Sequence, residues 1–124
     1  MSFAVLHVEI PVGDLDRARA FYERVFGARV GAEETIHGNR MAFFEVDEAE
    51  VGASAALCQG EVYRPTRDGA ILYVAVNDIA AVLARATAAG GSILFGPEPA
   101  TATLLVAEIG DSEGNRIALQ QPLG

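Results

Sequence analysis

Apolar and polar residues alternate over residues 3–12, with Leu6, Val8 and Ile10 on one face of a predicted strand and Val5, His7 and Glu9 on the other. From Leu15 the period changes. Leu15, Ala18, Tyr22 and Val25 recur at helical spacing, while Asp16, Arg17, Arg19 and Glu23 cover the outer side. Asp14 suits an N-cap, accepting from the free amides of the first turn, and Gly27 suits the left-handed residue that stops a helix. Three strands are predicted next, over residues 28–36, 39–46 and 51–59, with His37-Gly38-Asn39 as a tight turn between the first two. Residues 60–69 carry charge, a proline and glycines and read as a linker.

The same order then returns. A strand over residues 70–76 puts Leu72, Val74 and Val76 toward its helix and Ile71, Tyr73 and Ala75 on the opposite face. Asp78 caps a helix that runs to residue 89 and stops at Gly90-Gly91. Short strands follow near residues 92–95, 101–109 and 115–121. Gly96-Pro97-Glu98-Pro99 reads as a loop, and Asp111-Ser112-Glu113-Gly114-Asn115 as a hairpin turn whose role is its geometry. The phrase Val12-Gly13-Asp14-Leu15 reappears as Val76-Asn77-Asp78-Ile79, 64 positions later, and at that offset Gly27 meets Gly91. The chain therefore reads as one α+β domain over residues 1–124, with βαβββ modules at 1–59 and 70–124.

Composition narrows the partners. The net charge is −8 with only nine Lys and Arg, scattered, which argues against a nucleic-acid partner because phosphate binding needs clustered cations. Cys58 is the single cysteine, so no intrachain disulfide forms, and its small apolar surroundings point to a buried structural thiol. No apolar stretch reaches the ~18 residues of a membrane span, and the N-terminus lacks the charged start of a signal peptide. The expectation is a soluble, cytoplasmic protein with no membrane partner.

Five pieces in order carry a resemblance that covers essentially the whole chain. They are Leu6-His7-Val8-Glu9-Ile10-Pro11, Val12-Gly13-Asp14-Leu15, Phe21-Tyr22-Glu23-Arg24-Val25-Phe26-Gly27, Val76-Asn77-Asp78-Ile79 and the turn from Asp111 to Asn115. Together they resemble the vicinal oxygen chelate superfamily, the glyoxalase, bleomycin-resistance and extradiol-dioxygenase group. The resemblance implies two βαβββ modules forming a cupped mixed sheet, with helices on the convex side, a ligand in the concave cavity, and a homodimer. Metal-dependent members take one His, Glu or Gln ligand from the first and the last strand of each module. Carried onto this chain, those positions are His7, Ala56 or a neighbour within one residue, Ile71 and Ala118. One ligand of four survives. The expectation is no catalytic metal and no other cofactor; the remaining route to a divalent metal at His7 is an improvised set of His7, Glu9 and Gln120.

The remaining chemistry gathers on the same face. His7 and Glu9 form an acid–base pair or, more blandly, polar groups that orient a ligand. Met41 and Phe43 supply an apolar wall, Tyr73 a hydroxyl and Gln120 an amide, a mixture suited to a small, partly apolar organic molecule. Arg64 and Arg67 in the linker are candidates to close over an anionic group, with solvated loop charge as the plainer reading, while His37 and Glu45 read as surface positions. The leading expectation is a metal-free small-molecule binder. Its alternatives are a lyase, isomerase or dioxygenase working through an improvised metal or through His7 and Glu9, and a regulatory or assembly module.

Overall fold

The computed structural model describes residues 2–124. The chain runs β1 (His7–Pro11), α1 (Leu15–Phe26), β2 (Glu34–Ile36), β3 (Asn39–Phe43), β4 (Ser54–Gln59), β5 (Leu72–Ala75), α2 (Ile79–Ala88), β6 (Ser92–Thr101), β7 (Leu104–Gly110) and β8 (Arg116–Pro122). Two four-stranded mixed sheets result, in the orders β1-β4-β3-β2 and β5-β8-β7-β6. The first strand of each module lies parallel to its last, and the other pairs are antiparallel. This is the α+β arrangement that the periodicity predicts.

The helix starts repeat in atomic detail. Asp14 accepts from the Arg17 amide at 3.0 Å and Asp78 from the Ala81 amide at 3.1 Å. The last strand of each module adds a second cap: Gln59 Oε1 accepts from the Leu15 amide at 2.8 Å, and Gln121 Oε1 from the Ile79 amide at 2.7 Å. Each removes one of the orphan donors that a helix N-terminus leaves. One buried cluster serves both modules, drawing Ile10, Leu15, Phe21 and Val25 from the first and Ile79, Val82, Ile109 and Leu119 from the second. Arg85 Nε also donates to the Val25 carbonyl, at 2.9 Å, across the helix pair.

The turn between β7 and β8 does more than reverse the chain. Asp111 Oδ1 accepts from the amides of Glu113 and Asn115, each at 2.8 Å, which shapes the turn. Asp111 Oδ2 accepts from the buried Tyr22 hydroxyl at 2.7 Å, and Asn115 Nδ2 donates to the Pro11 carbonyl at 2.7 Å. The expectation of a purely geometric role therefore needs correction, because this turn of the second module grips the first.

Element bounds differ from expectation, most plainly at Leu6, over residues 28–36 and at Gly96-Pro97-Glu98-Pro99. β1 starts only at His7; Leu6, expected to face the helix, is 80% exposed, because β4 begins at Ser54 and offers no partner strand further back. Most of residues 28–36 is irregular, with one bridge from Val30 to Phe44 before the short edge strand β2. Gly96-Pro97-Glu98-Pro99 lies inside β6 rather than in a loop. β6 is the sheet edge and its register shifts at this stretch, so the missing proline N–H groups interrupt no inner ladder. The left-handed residue after α2 is Gly90, with φ 95°, the first of the Gly90-Gly91 pair expected to stop the helix.

Candidate functional site

Alternation on β1, β3 and β4 sorts the first sheet into two faces. Val8, Ile10, Ala42 and Leu57 turn toward the common core. His7 pairs in register with Ser54, Glu9 with Ala56, Phe43 with Ala56, and Met41 with Cys58, so these residues share the opposite face. Met41, Ala56 and Cys58 are buried there in a separate small cluster with Phe43 and Tyr63 packed on it.

The polar groups on that face form a connected set. His7 Nδ1 lies 2.7 Å from Ser54 Oγ, and its ring stacks on Phe43 with centroids 5.8 Å apart. His7 Nε2 is 3.9 Å from Glu9 Oε2, too long for a hydrogen bond. Tyr63 donates its hydroxyl to Glu9 Oε1 at 2.8 Å, and this bond pushes the phenol up to about 12. Burial, with the Glu9 charge nearby, pushes the Cys58 thiol up to about 11, so it holds its proton at neutral pH. That is the chemistry of a structural thiol.

Tyr63 and Ser54 escape a sequence reading. Tyr63 sits in the charged linker, where its only signal is a lone aromatic among polar residues. Ser54 gains meaning only from register, which puts it beside His7 where the carried-over metal position was Ala56.

The second sheet carries the other two predicted residues. Tyr73 pairs in register with Ala118, and Ala75 with Gln120. Tyr73 is 53% exposed, and Phe95, Ile93 and Ile71 are exposed as well. Glu108, opposite Ala118, binds Arg116 Nε at 2.9 Å and Arg116 Nη2 at 2.8 Å. Among the described residues no hydrogen bond joins Tyr73 or Gln120 to His7 or Glu9. The expected site thus falls into two groups, His7, Glu9, Met41 and Phe43 on one sheet and Tyr73 and Gln120 on the other.

Between the edge strands β1 and β5 lies a cleft of about 350 Å³. Val8, Ile10, Ile71, Leu72 and Ile117 make it mainly apolar, and Glu9, Asp68 and Arg116 bring charge. The linker contributes Thr66 and Asp68 to its lining, while Arg64 and Arg67, for which solvated loop charge is the plainer expectation, do not line it. His37 is exposed in a turn with φ 52°, and Glu45 pairs at the surface with Arg29 at 3.3 Å, both as expected.

The donor set does not fit the metal centre that this fold can carry. The module symmetry matches His7 and Ser54 with Ile71 and Arg116, and Glu9 and Ala56 with Tyr73 and Ala118. Only His7 and Glu9 bring ordinary metal donors, and one oxygen of Glu9 is already held by Tyr63. Among the described residues no three His, Cys, Asp or Glu side chains converge in a way that could hold an ion. No helix among them is long and apolar enough to cross a membrane.

Comparisons with known proteins agree with this architecture. The structure resembles a glyoxalase family protein from Bacillus cereus, with a TM-score of 0.79 at 18% identity, covering 100% of this chain and 97% of that one. It also resembles TnmS3, an antibiotic binding protein from Streptomyces sp. CB03234, with a TM-score of 0.68 at 24% identity and 99% coverage of both chains. Glyoxalase I from Zea mays matches with a TM-score of 0.68 at 21% identity over 93% of this chain, which spans only 44% of the maize chain. A search of curated proteins finds no significant match. The family model for the Glyoxalase/Bleomycin resistance protein/Dioxygenase superfamily matches residues 4–119, and the chain belongs to that superfamily.

Proposed function

We propose that this protein binds a small, partly apolar organic molecule at the cleft beside β1, without a catalytic metal. One observation carries the reading: the cleft of about 350 Å³ has apolar walls and a few convergent polar groups, while the metal positions of the fold hold Ile71, Ala56 and Ala118 beside a lone His7. The likeness to an antibiotic binding protein supports the same direction. Of the expected site residues only Glu9 lines this cleft; in this reading His7, Met41 and Phe43 extend the ligand-facing surface beyond it on the first sheet, and Tyr73 and Gln120 on the second. The protein acts as a homodimer, a reading supported by the exposed apolar side chains of Ile71, Tyr73, Ile93 and Phe95.

Elemental analysis after incubation with Ni, Mn, Zn or Fe(II), followed by a thermal-shift screen of small organic ligands, tests the reading. Metal below a tenth of stoichiometry and a stabilising organic ligand are the expected results. Near-stoichiometric metal that disappears in His7→Ala overturns it. The second reading, acid–base catalysis by His7 and Glu9, draws on their 3.9 Å approach. Turnover of a bound ligand that is lost in both His7→Ala and Glu9→Gln favours that reading over simple binding.

A further inference from the structure

We propose that the cleft selects a cation: an apolar body ending in a protonated amine or amidine that is seated on Glu9. The inference rests on the small-molecule reading above and specifies the class of ligand. Glu9 lies on the cleft wall, and its two oxygens are not equivalent. Oε1 is held by the Tyr63 hydroxyl at 2.8 Å, which fixes the carboxylate in place. Oε2 has His7 Nε2 as its nearest ionic neighbour, 3.9 Å away, and makes no hydrogen bond among the described residues. Glu9 thus brings to the cleft lining a carboxylate with one oxygen free to accept from a charged donor.

The other charges in the cleft point the same way. Asp68 lines it and forms no ion pair among the described residues. Arg116 is the one basic side chain in the lining, and Glu108 already neutralises it at 2.8 Å. The lining therefore carries two carboxylates that no Arg or Lys neutralises, Glu9 and Asp68, and no unpaired Arg or Lys among the described residues. An anionic ligand would have to displace Glu108 from Arg116 while facing Glu9 and Asp68. A cationic ligand has no such ion pair to displace.

The test uses three probes that share one apolar body: phenylbutylamine, phenylbutanol and phenylbutyrate. Each is titrated into the isotope-labelled protein at low salt, and the resonances of Val8, Glu9, Asp68 and Ile71 are followed by NMR. The expected order is amine tightest, by about tenfold over the alcohol, with the carboxylate weakest. Glu9→Gln keeps an acceptor for Tyr63 and is expected to remove most of the amine's advantage over the alcohol. Asp68→Asn is expected to remove a smaller part. Equal binding of amine and alcohol overturns the cation assignment and leaves the small-molecule reading standing. An amine preference that survives both substitutions overturns the role of these carboxylates. Absence of any shift at the four residues with all three probes overturns both readings together.

Discussion

Glu113, in the turn between β7 and β8, accepts from the backbone amide of Asp14 at 2.9 Å, so the second module caps the first helix of the first module. The same oxygen accepts from the Gly13 amide at 3.0 Å, and Arg17 Nε donates to the other at 2.7 Å. The Glu113 side chain has no solvent exposure. Among the described residues no counterpart reaches the start of α2, which makes this clasp a break in the internal symmetry.

The clasp makes stability depend on pH. Burial raises the Glu113 pKa, but hydrogen bonds from Arg17, Ser112 and the Asp14 amide outweigh it and hold the carboxyl below its ordinary range. A lowered folded value means the contribution is complete above the unfolded value, about 4.3, and is lost as pH falls through the folded one. Glu113→Ala is expected to cost about 0.5–1.5 kcal/mol at neutral pH, because it removes the acceptor of the Gly13 and Asp14 amides and of Arg17. Urea denaturation at several pH values should find this deficit shrinking as the pH falls below that range. A deficit that stays constant down to strong acid would remove the ionic part of the account.

The Tyr63–Glu9 bond has a spectroscopic signature. The hydrogen bond to Glu9 pushes the Tyr63 phenol up to about 12, so in Glu9→Gln it is expected to titrate closer to the usual value, near 10. Labelled tyrosine ring carbons followed by NMR through the alkaline range give the reading, with Tyr63→Phe assigning the signal. An unchanged titration in Glu9→Gln would mean that the two side chains do not meet in solution.

Two adjacent glycines are expected to respond differently to alanine. Gly90 has φ 95° and open space around it, so Gly90→Ala meets mainly backbone strain of about 1 kcal/mol. At Gly91 a Cβ would lie 2.6 Å from the Gly110 carbonyl oxygen and 2.9 Å from Phe21 Cε2. Gly91→Ala is therefore expected to cost more, about 1–3 kcal/mol, as the sheet and α1 are pushed apart. Thermal denaturation of the two variants decides the order.

The glutamine caps are predicted to be equivalent. Gln59→Ala and Gln121→Ala each leave the first amide of a helix without its partner, and each is expected to cost about 1 kcal/mol. Chemical denaturation of both should give similar losses. A large difference would show that the modules depend on their caps unequally.

The sequence by itself determined what short-range physics controls. Periods of two and of 3.6 predicted the elements, Asp14, Asp78 and Gly27 marked helix ends, and the repeat of 64 positions marked the two modules. Those features depend on residues within a few positions of each other. Leu6 and the segment from Gly96 to Pro99 were illegible for a different reason: whether an apolar or proline-bearing stretch becomes a strand depends on the partner strand beside it. The candidate site was half legible. Alternation put His7 and Glu9 on one face, but nothing local brought Tyr63 to Glu9, Ser54 to His7, or Asp68 and Arg116 into one cleft. Those meetings join residues far apart in the chain, and only strand register and the packing of two modules on a shared core decide them.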